Sequence, residues 1–442
     1  MRLPPGLRRP AIVQLIEWLH DPIGLMSRLG ERFGDIFTVR LAGFGTLVLV
    51  SSPELVKQVL TADPETVRAG EAQSFIRFAL GPRSPLVIDG QEHLRQRRLL
   101  LPPFHGERMT AYSHDICETT RQYMTRWPVG SPFEMLPAMR AITLDVMLRA
   151  VFGLSHGPQM DELRDLLLQF SGAASSGLFF IRALQEDRPL NPFKSFFRLR
   201  DTLDRVIYKL IAERRRARDL DVRQDILSVL SRTRDEEGRP ISDEELRDQL
   251  LTLVAAGYET TSSTLAWVFD DILRSPEVAE KVHAEVREAS PNGDFDARAV
   301  KLEYLDATIK ETLRMRPVSP VASRRLGAPF SLGGYALEPG QIVAISIPLV
   351  HRRPELYPDP DRFSPERFLG VKPNPYQWVP FGGGVRRCIG MAFALHETKL
   401  IVATVLSRLR LRLAQGAPQR PAYRGVLVSP SAGTPVIITE AS

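Results

Sequence analysis

The chain has 442 residues, 43% of them hydrophobic and 25% charged, an ordinary globular composition with ample material for a large core. Its formal charge of +6 comes from basic residues interleaved with acids rather than gathered into an arm, so no nucleic-acid partner is expected. No run approaches the ~18–20 apolar residues of a membrane span. The two cysteines, Cys117 and Cys388, lie in unlike contexts, which excludes a disulfide framework and fits a reducing, cytoplasmic setting.

No linker, repeat or low-complexity tract divides the chain, so one unit over residues 1–442 is expected. It should be mainly α-helical. A smaller β-rich region is drawn from about residues 35–60, 320–350 and the C-terminal strands. Residues 1–6 are too short and proline-broken for a signal peptide, and a soluble protein is expected. Residues 14–33 have helical spacing, and 11–19 could form an amphipathic helix whose simplest use is packing. Strands follow at 37–41 and 47–50, joined through Gly43 and Gly45, with a helix over 53–62. Residues 71–90, with Gly81, Pro82 and Pro85, show little periodicity. On a helix His93 and Arg97 share a face and can reach one anionic group.

Helical spacing returns at 110–126, which holds Cys117 as a packing residue, and at 138–151 and 161–170. Phe179, Phe180, Phe193, Phe196 and Phe197 then mark an aromatic, proline-broken region. The run Arg214-Arg215-Arg216, flanked by Glu213, Asp219 and Asp221, is expected to be a solvated helix face. Ser242-Asp243-Glu244-Glu245 opens a capping box. The helix it starts runs to Ser275, before Pro276, for roughly 50 Å at 1.5 Å per residue. In its middle, Ala255-Ala256-Gly257 are small enough to let something approach the backbone. Glu259 and Thr260 beside them supply a carboxylate and a hydroxyl, the parts of a short proton relay.

A helix over 302–315 carries Glu311 and Arg314 on one face. After Val318-Ser319-Pro320-Val321-Ala322 come Arg324 and Arg325, strands at 341–347 and 435–439, and an irregular meander over 351–368, where His351 is expected to be structural. Phe381-Gly382-Gly383-Gly384-Val385-Arg386-Arg387-Cys388-Ile389-Gly390 then surrounds the second cysteine with what a metal-bound thiolate needs. Glycines let the backbone come close. N–H groups can point at the sulfur and hold it as an anion. Arg386 can pair a carboxylate, Phe381 can shield the sulfur, and a helix over 391–408 places its positive end beside it.

This last stretch resembles the cysteine loop of the cytochrome P-450 superfamily, F-x-x-G-x-R-x-C-x-G, at every fixed position. Ala256-Gly257-Tyr258-Glu259-Thr260-Thr261 is similar to the superfamily's [AG]-G-x-[DE]-T-[TS] helix. His93 with Arg97, and Glu311 and Arg314 with Arg367, follow its order over about residues 4–440. The resemblance implies the cytochrome P-450 fold, mainly α with small β-sheets, with haem b between the long helix and the cysteine loop. Cys388 would then be the axial ligand. His93, Arg97, Arg324 and Arg386 would hold the haem carboxylates. Ala256, Gly257, Pro380, Phe381, Gly382, Ile389 and Gly390 would touch the ring. Thr260 and Glu259 would deliver protons. Phe75, Ile76, Phe78, Leu86, Val87, Ala256, Val318 and Val321 would line the substrate cavity, and Glu311, Arg314 and Arg367 would form a buried structural cluster.

The implied reaction is O₂-dependent hydroxylation or epoxidation of a lipophilic small molecule such as a fatty acid, terpenoid or polyketide. The chain has no flavin domain or iron–sulfur cysteine set, so electrons would come from a separate ferredoxin or flavodoxin with its reductase. Arg386, Arg387 and Arg95 or Arg98 could receive that carrier, and a monomer is expected. The competing readings are a peroxide-driven peroxygenase or isomerase and a non-catalytic haem sensor.

Overall fold

The computed structural model describes residues 3–104, 107–174, 185–186, 191, 193–234, 238–290 and 301–441. The single helix expected over 14–33 is two, α1 (Ala11–His20) and α2 (Pro22–Phe33). Asp21 leaves the helical region and its side chain accepts from Gly24 N at 2.9 Å. Pro22 takes the first helical position, where a missing N–H is harmless.

Next, β1 (Ile36–Leu41) and β2 (Gly45–Val50) pair antiparallel, followed by α3 (Pro53–Thr61). The sheet is completed by distant chain: β3 (Val321–Leu326), β4 (Ile342–Ser346) and the two-residue strand Val67–Arg68, in the order β1-β2-β4-β3-Val67 strand. Strand alternation sorts its side chains. Val48 and Val50 pack beneath α3 with Val56 and Val59, while Leu47 and Leu49 face Leu25 and Met26 of α2.

Residues 71–90 are more ordered than their sequence suggests, holding helical turns at Ala69–Ala72, Ser74–Ile76 and Arg77–Leu80. Turns of three or four residues are too short to leave a period in the sequence. Then come α4 (Gly90–Leu100), α5 (Glu107–Met124), α6 (Met135–Phe152), α7 (Pro158–Ala174) and α8 (Lys194–Arg215). Cys117 is buried, as expected. Phe196 and Phe197 are core residues of α8, with Phe196 stacked on Phe170 at 5.3 Å and tilted against Phe78. Phe179 and Phe180 lie outside the described residues. The basic run is not a uniformly solvated face. Arg214 is buried, paired with Asp225 and donating to Phe152 O, and Arg215 lies 2.9 Å from Asp243, which leaves Arg216 exposed.

The organising element is α9 (Asp243–Arg274), capped by the Ser242 hydroxyl on Glu245 N and ended at Ser275, where Pro276 starts the next helix. It is flanked by α6, with Thr143 Oγ1 donating to Tyr258 O at 3.1 Å. The smallness of Gly257 serves this packing, since a Cβ there would stand 2.8 Å from Met147 Sδ. Downstream lie α10 (Glu303–Met315), the meander and α11 (Met391–Arg408), and then the hairpin β5 (Pro421–Arg424) and β6 (Leu427–Pro430). Among the described residues no helix is long and apolar enough to cross a membrane.

Candidate functional site

The cysteine loop is shaped by two glycines with positive φ, Gly382 (+64°) and Gly384 (+63°). At Gly384 a side chain is excluded twice over, because its Cβ would sit 2.1 Å from Leu60 O at the end of α3. Cys388 N donates to Phe381 O at 3.0 Å, closing the loop. The Cys388 side chain is exposed, although the protein around it desolvates the thiol. Burial pushes its thiol up, while the Gly390 N–H and the charges of Arg97 and Arg387 pull the other way. Phe381 and Ile389 pack against the main core, with the Phe381 ring 6.0 Å from Trp378.

A second opening lies along the middle of α9. Between Glu245 and Ile272 only Leu253, Ala255, Ala256, Gly257, Glu259 and Thr260 escape burial, and of these Ala256 is exposed. A helix buried along both ends and open across one central turn borders a cavity there. Thr260 Oγ1 donates to Ala256 O at 2.7 Å, leaving its oxygen lone pairs for an acceptor role. Glu259 does not share that direction, because adjacent helical residues differ by about 100°. Its carboxylate accepts from Arg140 Nη2 at 3.1 Å and Ser171 Oγ at 3.2 Å, facing a second cavity of about 320 Å³ lined also by Leu168, Tyr423 and Arg424. The acid and alcohol expected side by side are therefore split between two spaces.

The basic residues gather beside the cysteine loop. His93, Arg324 and Arg386 line one small pocket with Asp89 and Val385. Strand alternation decides between the two arginines of β3: Arg324 is buried toward the pocket, while Arg325 bonds Gly340 O on the other side. Among the described residues no acid forms an ion pair with Arg324 or Arg97. Burial and Arg386 pull the Arg324 guanidinium down to about 10. Burial, then the charges of Arg386 and Arg97, lower His93 to about 3, so its ring is neutral at pH 7. Arg97 diverges from His93 and donates to Arg387 O at 2.6 Å. Arg386 is bonded within the protein, to Asp89 at 2.7 Å and to Pro85 O and Ile88 O. Arg95 is likewise held, by both oxygens of Glu245 at 2.7 and 2.8 Å.

Of the expected cavity residues, Ile76, Phe78 and Leu86 are half-buried against the main core and Val87 is buried. Phe75 is half-buried, and Val318 is held by Val428 N donating to its carbonyl at 2.8 Å. Val321 departs from expectation: its place in β3 turns it toward the cluster beneath α2. Sequence reasoning missed Asp89, Arg140, Ser171 and Glu397. The Glu397 carboxyl on α11 is wholly buried and pushed well above the usual range, with Thr261 the group that tempers it.

Glu311, Arg314 and Arg367 meet behind the loop. Arg314 donates to both Glu311 oxygens (2.6 and 2.9 Å) and to His351 O (2.8 Å), and Arg367 Nε lies 3.4 Å from Glu311. His351 Nε2 accepts from Val379 N at 2.9 Å, which leaves Nδ1 to donate to Arg314 O at 3.0 Å.

These features fit a haem. Among the described residues no three His, Cys, Asp or Glu side chains could hold a metal ion, so a metal at Cys388 has to bring its other ligands with it. Buried Arg324, which no described acid bonds directly, suits a cofactor carboxylate. The sequence profile of the cytochrome P450 family matches residues 4–436. Cytochrome P450 138 of Mycobacterium tuberculosis is 36% identical over 439 residues, covering 99% of this chain and 96% of that one. Cytochrome P450 135B1 of Mycobacterium bovis is 37% identical over 436 residues, covering 98% and 90%. Among solved structures, retinoic acid bound cyanobacterial CYP120A1 has a TM-score of 0.86 at 27% identity, with both chains fully covered. The heme domain of cytochrome P450DA, at 23% identity, a TM-score of 0.87 and coverage of 100% and 98%, shares the fold. The chain belongs to the cytochrome P450 family, and it is a haem-thiolate monooxygenase that carries haem b.

Proposed function

We propose that the chain hydroxylates or epoxidises a lipophilic small molecule, a fatty acid, terpenoid or polyketide, with electrons from a separate ferredoxin or flavodoxin and its reductase. It would work as a cytoplasmic monomer, one unit over its length. The observation that carries this reading is the open turn of α9 at Ala256 and Thr260, in a molecule whose glycine-shaped cysteine loop leaves Cys388 exposed. Haem bound there supplies O₂ binding and cleavage, which thiolate donation favours. Arg324, Arg97 and His93 would hold its carboxylates, and Ala256, Phe381 and Ile389 would meet its faces.

Protons are the protein's part. The Thr260 hydroxyl, its own hydrogen engaged by Ala256 O, accepts a hydrogen bond from a protonated group in the cavity. Glu259 takes protons from the water-accessible second cavity, and swinging away from Arg140 and Ser171 carries them toward Thr260. Thr260→Ala should therefore raise peroxide release relative to product, and Glu259→Gln should slow turnover by about 10². Coupling equal to wild type would remove Thr260 from proton handling. Turnover with peroxide that matched turnover with donor and O₂ would favour the peroxygenase reading.

Half-buried Ile76, Phe78 and Leu86 support an apolar substrate, as does the likeness to a retinoic acid-bound structure. Titrating a lipid and terpene panel against the haem spin state tests the class. For the electron carrier, Arg387 and Arg98 are the exposed basic residues next to the thiolate side. Arg95 and Arg386 are engaged in pairs. Arg387→Glu should slow reduction by an acidic carrier about tenfold at low ionic strength while substrate binding holds. Unchanged reduction would place the docking face elsewhere.

A further inference from the structure

Residues 69–89 run as a strap between the cysteine loop and α9. At the base Asp89, the residue before α4, gathers three donors on one carboxylate. Its Oδ1 accepts from Gly70 N at 2.8 Å and from Arg386 Nη2 at 2.7 Å, and its Oδ2 accepts from Glu71 N at 2.8 Å. The two ends of the segment are thus closed on each other, and the closure is tied to the cysteine loop. Arg386 adds bonds to Pro85 O and Ile88 O, so its guanidinium serves the strap. The far part is fixed to α9: Arg83 N donates to Asp248 Oδ2 at 2.8 Å, the Ser84 and Thr252 hydroxyls meet at 2.7 Å, and Arg247 donates to Leu80 O at 2.9 Å. Ile76, Phe78, Leu86 and Val87 stand between the two anchors.

We propose that Asp89 is a positioning residue that sets the shape, and so the selectivity, of the substrate cavity by clasping this strap to Arg386. The inference rests on the strap being a cavity wall, as the proposed function has it. The α9 anchor has two buried bonds, from the Ser84–Thr252 hydroxyl pair and from Arg247 to Leu80 O, and survives on its own. The Asp89 clasp is half-buried and depends on one anion accepting three hydrogen bonds, two of them from backbone. An amide cannot replace it, because its NH₂ would face an N–H donor. Loss of the clasp lets Leu86 and Val87 drift, while Cys388 and its own loop contacts stay in place. Ligands long enough to touch the strap should then lose affinity, and ligands that reach only the iron should not.

The test uses the holoprotein and optical titration with two azoles, imidazole and the bulky, lipophilic econazole, together with amide hydrogen exchange. Asp89→Asn should weaken econazole about tenfold and leave imidazole within about twofold. The Gly70 and Glu71 amides should exchange at least about tenfold faster, with the Arg83 amide unchanged. If Asp89→Asn does not fold, Glu71→Pro, which deletes one donor and keeps Asp89 and Arg386, should weaken econazole about threefold with imidazole unmoved. Parallel loss of both azoles, or loss of neither, overturns the proposal. A wild-type protein that takes up no haem would instead remove the reading of the site. Hydrogen exchange, which needs no haem, would still show whether Asp89 holds the strap.

Discussion

Cys388→Ser is expected to leave the fold intact and cut turnover by at least about 10³, roughly 4 kcal/mol of transition-state stabilisation. The loop does not depend on the sulfur. It is set by the turn at Gly382 and Gly384 and by the backbone bond from residue 388 to Phe381 O, and serine keeps all three. What serine cannot supply is an anion. The site lowers the cost of a buried negative charge through the Gly390 N–H and the positive charges of Arg97 and Arg387, against a burial effect acting the other way. Burial outweighs them, so the free thiol stays raised and a bound iron would have to complete the thiolate; a hydroxyl, whose pKa lies far higher, would resist ionisation even then. The reduced carbon monoxide complex should accordingly lose the long-wavelength Soret band of a thiolate ligand. Haem content should fall less, since Arg324, Arg97 and His93 remain. A variant that kept both the band and the turnover would show that the ligand is another residue.

The parts of this site legible in the sequence are those written contiguously. The cysteine loop and the middle of α9 each spell their chemistry within ten residues, and the Ser242 cap marks where the long helix begins. The illegible parts are pairings across the chain. Arg386 and Asp89 are 297 positions apart, and Glu259 and Arg140 are 119 apart, so nothing local says that either charge is already engaged. Arg214 shows how local acids mislead. Glu213, Asp219 and Asp221 suggest a solvated face, yet the helical turn aims Arg214 inward at Asp225. The break between α1 and α2 was written in the sequence as Asp21-Pro22, a cap followed by a helix-starting proline, and apolar spacing alone ran past it. Arg324 and Arg325 could be separated only once their strand had a partner, because period-two alternation needs a fixed register.

The largest loss of stability is expected from the cluster behind the loop. Arg314→Ala should destabilise the protein by about 3–5 kcal/mol, because it leaves the fully buried Glu311 carboxylate with only Ser364 N and the more distant Arg367. Removing both charges, as in Glu311→Leu with Arg314→Leu, should cost less than the sum of the single changes, since the desolvation penalty of each ion disappears with its partner. Denaturant unfolding of the four proteins measures this, and strict additivity would show that the two side chains do not act as a pair. The effect should reach the cysteine loop by a short route. The Arg314 guanidinium donates to His351 O and the Arg314 carbonyl accepts from His351 Nδ1, so Arg314→Ala loses the first bond, and His351 in turn fixes Val379, two residues before Phe381. The same route adds a pH signature. Burial holds His351 neutral, with its pKa lowered from 6.5 to about 3, so the unfolded chain binds a proton that the folded one refuses. Its contribution is complete above about pH 6.5 and is lost as the pH falls toward 3. Haem release on acidification should therefore set in at higher pH in Arg314→Ala than in wild type, ahead of any loss of helix. Simultaneous loss of haem and helix in both proteins would show that the cluster supports the whole fold rather than the loop it stands behind.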